Sequence, residues 1–219
     1  MRLKTTMFLM IISIALSLFI SGCAVSPDRY HPDYAAHRAV MRRILILPPE
    51  IDLFENIPGG HFVRQEAQSR DAGLEAQKAL VRALSAHAFD VRIAGRHLLR
   101  SDDVIELRAL FRNVNRAIQL HAYGPQLYPG RSRQIDYGVG SVSDLLESGN
   151  ADALLLITGR QTASGHSPGT WISAAVVEPT GKIIWYGVQG TKGPDAVNDR
   201  QTVIDLTRMV IQPFLKGMS

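Results

Sequence analysis

The chain has 219 residues, 46% of them hydrophobic and 20% charged, the balance of a folded domain with a full core rather than a disordered or fibrous chain. Its formal charge is +4, but Arg2 and Lys4 stand in the amino-terminal leader, so the remainder carries only 22 − 20 = +2, which does not point to nucleic acid. It has one cysteine, which excludes an internal disulfide, so stability has to come from packing.

Taken in chain order, residues 1–22 read as a secretory signal peptide: a positive start, an apolar run from Met7 to Ile20, then Ser21 and Gly22. The run is too short for a spanning helix. With Cys23 following, Ile20-Ser21-Gly22-Cys23 resembles the bacterial lipobox. The resemblance implies diacylglyceryl transfer to the Cys23 thiol, cleavage before it and acylation of its amine, leaving 219 − 22 = 197 residues. Residues 23–41 are expected to form the lipidated cysteine and a flexible tether, because Pro27 and Pro32 interrupt a polar stretch. Fully extended, about 18 such residues reach roughly 60 Å.

Residues 42–219 read as a single α/β domain. Arg43-Ile-Leu-Ile-Leu47 suits a strand buried on both faces and is ended by Pro48-Pro49. Ile51–Phe62 reads as loop, marked by Pro58-Gly59-Gly60. A helix over Arg64–His87 shows Ala72, Ala76, Leu80 and Leu84 at helical spacing, and Phe89–Ile93 alternates as a strand. Strand, helix, strand predicts a crossover unit with a parallel pair. Asp103 with Glu106 has capping-box spacing for the next helix, whose apolar stripe runs from Val104 to His121. Arg108, Arg112 and Arg116 recur every four residues on another of its faces, as a solvated basic stripe or a contact for an anionic partner.

The stretch 121–140 is the least regular and reads as a loop. Tyr123, Tyr128, Tyr137, Arg131 and Arg133 are its candidate recognition residues, with the tyrosines otherwise stapling the loop to the body. A short helix is expected from Ser141 to Ser148, stopped by Gly149-Asn150. Ala153–Thr158, Thr170–Val177 and Lys182–Gly187 predict an antiparallel meander, with Glu178-Pro-Thr-Gly181 as a tight turn. A last helix covers Asn198–Phe214. The expected fold is therefore a mixed five-stranded sheet, a crossover unit plus a meander, packed by about four helices.

Catalytic motifs fare poorly. Gly165-His-Ser-Pro-Gly169 matches G-x-S-x-G, but it falls between two predicted strands and no histidine follows Ser167. Gly138-Val-Gly140 lacks the third glycine and the lysine of phosphate-binding loops. The seven histidines show no metal-ligand spacing, and His87 and His121 lie on apolar helix faces as expected core residues. No cofactor, no metal and no enzymatic activity are expected.

Arg43-Ile-Leu-Ile-Leu-Pro-Pro49, Asn150-Ala-Asp-Ala-Leu-Leu-Leu-Ile-Thr-Gly159 and Ala175-Val-Val-Glu-Pro-Thr-Gly-Lys-Ile-Ile-Trp185 together resemble the bacterial envelope lipoproteins built on the TolB amino-terminal-like fold, the group of CsgG, LpoB and PelC. Asn150 stands where that signature has Gly, and Glu178 where it has Asp. The resemblance implies a lipid-anchored periplasmic accessory or scaffold protein for envelope assembly or secretion, working with an envelope protein partner. With Ala24 after Cys23, it implies the outer membrane. Two alternatives stand beside it: a small-ligand binder or hydrolase using the 121–140 loop and Gly165–Gly169, and a homo-oligomeric secretion ring.

Overall fold

The computed structural model describes residues 28–57, 59, 61–123, 134–162, 169–192 and 200–217. The fold is built around β6 (Ala153–Thr162), whose side chains are sorted onto two faces by the two-residue repeat of a strand. Ala153, Leu155 and Ile157 enter one core, while Leu154 and Leu156 enter the other. A strand buried on both faces needs a continuous apolar run, which is what 153–157 supplies. Antiparallel pairing joins β6 to β7 (Gly169–Val177), and β7 to β8 (Ile183–Lys192), so the expected meander is present.

On the other side of β6 lies β2 (Arg43–Ile46), parallel to it and to β5 (Asp90–Ile93), giving the expected crossover unit. The sheet has eight strands rather than five. The added strands are β1 (Asp28–Tyr30), β3 (Glu50–Ile57) and β4 (His61–Arg64). β3 continues β2 along the same edge of β6: Ile46 pairs with Leu155 and Glu50 with Thr158. Three residues, Leu47 to Pro49, therefore oppose two, Leu156 and Ile157, and the proline pair sits in a one-residue bulge instead of ending the strand. β4 folds back on β3, so the segment read as loop is a hairpin. Ile51 and Leu53 alternate there with Glu50 and Asp52, with both apolar side chains buried.

Among the described residues, five α-helices cover the two faces of the sheet. α1 (Tyr34–Val40), α2 (Glu66–Ser85) and α5 (Arg200–Lys216) close the core containing Ile44, Leu155 and Trp185. α3 (Asp102–Tyr123) and α4 (Ser143–Gly149) close the core containing Leu45, Leu154 and Tyr186. Small residues bring α2 close: a Cβ on Gly73 would lie 2.8 Å from the Pro49 carbonyl oxygen, so the helix rides directly on the bulge. The N-terminus of α3 is capped by Ser101, whose Oγ accepts from the Val104 N–H, rather than by Asp103. α4 begins at Ser143, with Val142 rather than the expected Ser141 at its N-cap, and ends as read at Asn150, which adopts the left-handed conformation.

The largest correction concerns residues 28–41, expected as tether. β1 pairs with β8, with Asp28 opposite Gly187, and α1 docks on the aromatic cluster around Phe214. Asp28, Arg29, His31 and Tyr34 are all buried. A stretch rich in polar groups gives no hydrophobic period, yet Arg29, His31 and Tyr34 each meet a partner supplied from far along the chain. The fold thus already includes Asp28, with four residues between it and Cys23 in the sequence.

Candidate functional site

Among the described residues, two concave surfaces border α3, the first reaching across the sheet edge to α2. The first, about 510 Å³, opens beside the Pro48-Pro49 bulge and is lined by Glu50, Asp52, Arg64, Glu66, Arg70, Arg108, Arg112 and Thr158, among others. Its charges are tied to each other. Glu50 accepts from Arg108 and from Arg112, each at 3.0 Å, and Arg108 also donates to the Pro48 carbonyl at 2.9 Å. Asp52 accepts from Arg64 at 2.6 Å, and Arg64 in turn contacts Glu66. Two of the three arginines of the predicted basic stripe therefore fasten α3 to the bulge, and Arg116 is exposed. Such partly exposed pairs fix geometry more than they add stability.

The second surface, about 440 Å³, is a groove between α3 and α4. Leu107, Leu110, Val139, Val142 and Leu145 give it an apolar lining, and Leu110 is 39% exposed. Asp103, Glu106 and Asp144 stand on its rim and are exposed. The groove exists because 138–142 is pinned to the β7–β8 turn. Val139 N–H donates to Gly181 O at 2.9 Å, and Val142 N–H donates to Pro179 O at 3.0 Å. Gly181 has φ +93°, and a Cβ there would lie 1.8 Å from the Gly140 carbonyl oxygen, so this approach requires glycine. Gly138-Val-Gly140 is accordingly a helix-entry segment packed on a turn.

Other candidates from the sequence fall as follows. Arg29 lies over the Tyr123 ring, 4.2 Å from its centre, and Tyr123 packs beside Tyr186. Burial, the largest influence, pushes the Tyr123 hydroxyl pKa well up and that of Tyr186 to about 12. Tyr137 hydrogen-bonds His121 Nδ1 at 2.9 Å and packs on the α3-side core. Tyr123 and Tyr137 thus staple both ends of the irregular stretch to the body. Tyr128, Arg131 and Arg133 lie outside the described residues, as do Cys23 and His166–Pro168 with Gly165. His87 and His121 are exposed rather than core residues, since His87 sits beyond the end of α2 and His121 turns toward Tyr137. Among the described residues, no three His, Cys, Asp or Glu side chains form a group that could hold a metal ion.

The acidic residues of the resemblance signature are structural. Asp152 accepts from the Arg42 and Arg43 N–H groups at 2.9 and 2.8 Å and from the Arg43 side chain at 2.6 and 3.1 Å, locking the starts of β2 and β6 together. Glu178, only 5% exposed, accepts from the Thr180 and Lys182 N–H groups at 3.0 and 3.1 Å and from the Thr180 hydroxyl. Neither role was visible in the sequence, although an acid inside an otherwise apolar signature was a signal that its partner is backbone.

The architecture is that of an α/β/α domain with a mixed sheet and bound polar turns. No protein-family model matches the sequence, and no curated protein sequence matches it. Among solved structures, the fold is similar to a PelC dodecamer from Paraburkholderia phytofirmans (14% identity, TM-score 0.45, covering 88% of this chain and 96% of that one). It is also similar to the lipoprotein GNA1162 from Neisseria meningitidis (16%, 0.36, 81% and 99%) and to the LpoB C-terminal domain from Salmonella enterica (13%, 0.28, 81% and 92%). PelC and LpoB both stand in the group that the sequence resembles, and the likeness concerns the fold.

Proposed function

We propose that this chain is a lipid-anchored accessory protein of the bacterial envelope, on the periplasmic face of the outer membrane, that holds a partner protein and has no catalytic role. The observation that carries this reading is the groove between α3 and α4. An apolar floor with Leu110 exposed and an acidic rim of Asp103, Glu106 and Asp144 suits a partner segment with apolar side chains and a basic flank. The lipobox-like Cys23 supplies the anchor in this reading. A photo-crosslinker placed at position 110 of the full chain in its native membrane tests it. Capture of one envelope protein, lost in the Glu106→Lys chain, is the expected result. A hydrolase activity abolished by Ser167→Ala or His166→Ala would overturn the non-catalytic part.

Self-association is the second reading, favoured by the edge of β5, where Ile93 is 46% exposed and, among the described residues, only β2 pairs with the strand. Native mass spectrometry of the full chain from detergent separates the two readings.

A further inference from the structure

The end of the sheet from which β1 enters also carries an apolar projection. β1 runs antiparallel to β8, so the chain reaches Asp28 from the side where β8 ends. β6 and β3 also end on that side, because both run parallel to β8. Among the described residues, the pairing of β6 with β7 and β3 extends to Thr162, which is opposite Gly169 and Phe54. β3 continues to Ile57, three residues and about 10 Å farther along, and is paired there with β4. On this projection Ile57 is 37% exposed, Phe62 44% and Val63 43%.

The register places these side chains on opposite sides. Ile57 pairs with His61 and Glu55 with Val63, which puts Ile57 and Val63 on one face, while Phe62 points to the other. A protein partner laid on one face would leave the other wet. A medium that surrounds the tip covers both.

We infer that this hairpin tip dips into the lipid headgroup region of the membrane that holds Cys23, and that the sheet end formed by β3, β6 and β8 faces that membrane. This rests on the reading of Cys23 as lipidated. Five residue steps join Cys23 to Asp28, so the anchor lies within about 17 Å of the Asp28 Cα even at full extension. A domain held that close cannot turn freely over the bilayer, and the tip gives it a second point of contact. Apolar residues at an interface need only shallow burial to contribute.

The test uses the full chain, purified from membranes and reconstituted in vesicles of phosphatidylethanolamine and phosphatidylglycerol. Cys23 is the only native cysteine, and acylation blocks its thiol, so Phe62→Cys or Lys182→Cys introduces one reactive site for a fluorophore. Lys182 is exposed at the opposite end of the sheet, just before β8 begins. Nitroxide-labelled lipid is expected to remove most of the emission at position 62 and little at position 182. Equal emission at both sites in an acylated, vesicle-bound chain overturns the orientation alone. An amino-terminal peptide without acyl mass overturns the anchor, and the orientation with it. Disulfide dimers formed through position 62 in the vesicles assign the tip to a second copy and also overturn the proposal.

Discussion

Arg29 donates through Nη2 to the carbonyl oxygen of Ala122 at 2.9 Å, across a sequence separation of 93 residues. The same guanidinium lies over Tyr123, so the first strand of the domain is bolted to the last turn of α3. This contact helps to hold residues 28–41 in the fold, so at most the four residues between Cys23 and Asp28 are left for the expected tether of about 18, with a reach of no more than about 17 Å instead of roughly 60 Å.

Arg29→Ala is expected to cost about 2–4 kcal/mol, adding a charge-assisted hydrogen bond to a cation–π contact in a buried setting. Urea denaturation of the full chain measures it, and limited proteolysis should show new cleavage within 28–41. A loss below about 0.5 kcal/mol, the range of ordinary surface substitutions, would mean that β1 is held by its pairing with β8 alone.

Asp152→Asn is expected to destabilise the domain by about 1.5–3 kcal/mol, since Asp152 accepts four hydrogen bonds that join β2 to β6. Burial raises the Asp152 pKa, but the hydrogen bonds from Arg43 and Arg42 outweigh it and hold it below the usual carboxylate value. A lowered folded pKa means stability that is present above the unfolded value near 4 and is lost as pH falls through the folded one. The stability gap between the native chain and the Asp152→Asn variant should therefore stay constant from neutral pH to about pH 4 and narrow below it.

Glu178→Gln probes the β7–β8 turn. Burial again pushes the carboxyl up, and the donors from Thr180 and Lys182 outweigh it, leaving the pKa lowered. The sign is the same as for Asp152: the contribution is full at neutral pH and disappears in acid. A loss of about 1–3 kcal/mol at pH 7 is expected, because an amide N–H₂ group then faces backbone donors. Amide hydrogen exchange should quicken at Val139 and Val142, whose N–H groups bond this turn.

Phe214→Ala removes the ring that touches Tyr34, Phe89 and Trp185. Phe214 is fully buried, so a cost of about 3–5 kcal/mol is expected in calorimetry or denaturant unfolding. Loosening of α1 should accompany it, because Tyr34 loses its edge-on ring neighbour.

Leu110→Arg tests the groove without touching the core. Stability should change by less than about 0.5 kcal/mol, as expected for an exposed helix position. Partner binding should weaken at least tenfold, about 1.4 kcal/mol, in a titration against the crosslinked protein. Unchanged binding would exclude the groove as the docking site.

Much of the fold was legible from the sequence, for a reason local to the chain. The runs Ile44–Leu47 and Ala153–Ile157 are apolar without interruption, as strands buried on both faces must be, and Ala72, Ala76, Leu80 and Leu84 keep the helical period. The turn at 178–181 is written in its Pro and Gly. The lipobox-like setting of Cys23 is likewise local to the sequence, and its acylation belongs to the proposed function. β3 had a legible alternation in Ile51 and Leu53, which the neighbouring prolines and glycines obscured. By contrast, Asp28-Arg29-Tyr30 looks like solvated chain until Ala122, Tyr123 and β8 are brought to it. A polar group can be buried only where partners satisfy it, and those partners lie anywhere in the sequence. The same holds for the groove, which exists only because α3 and α4 lie side by side, and for the hairpin tip, whose place relative to Asp28 is set by the strand order. The sequence by itself determined the layers and the meander; tertiary structure alone decided that residues 28–41 belong to the fold, which acids are locked into backbone and which apolar residues stay outside, because those outcomes depend on contacts between distant residues.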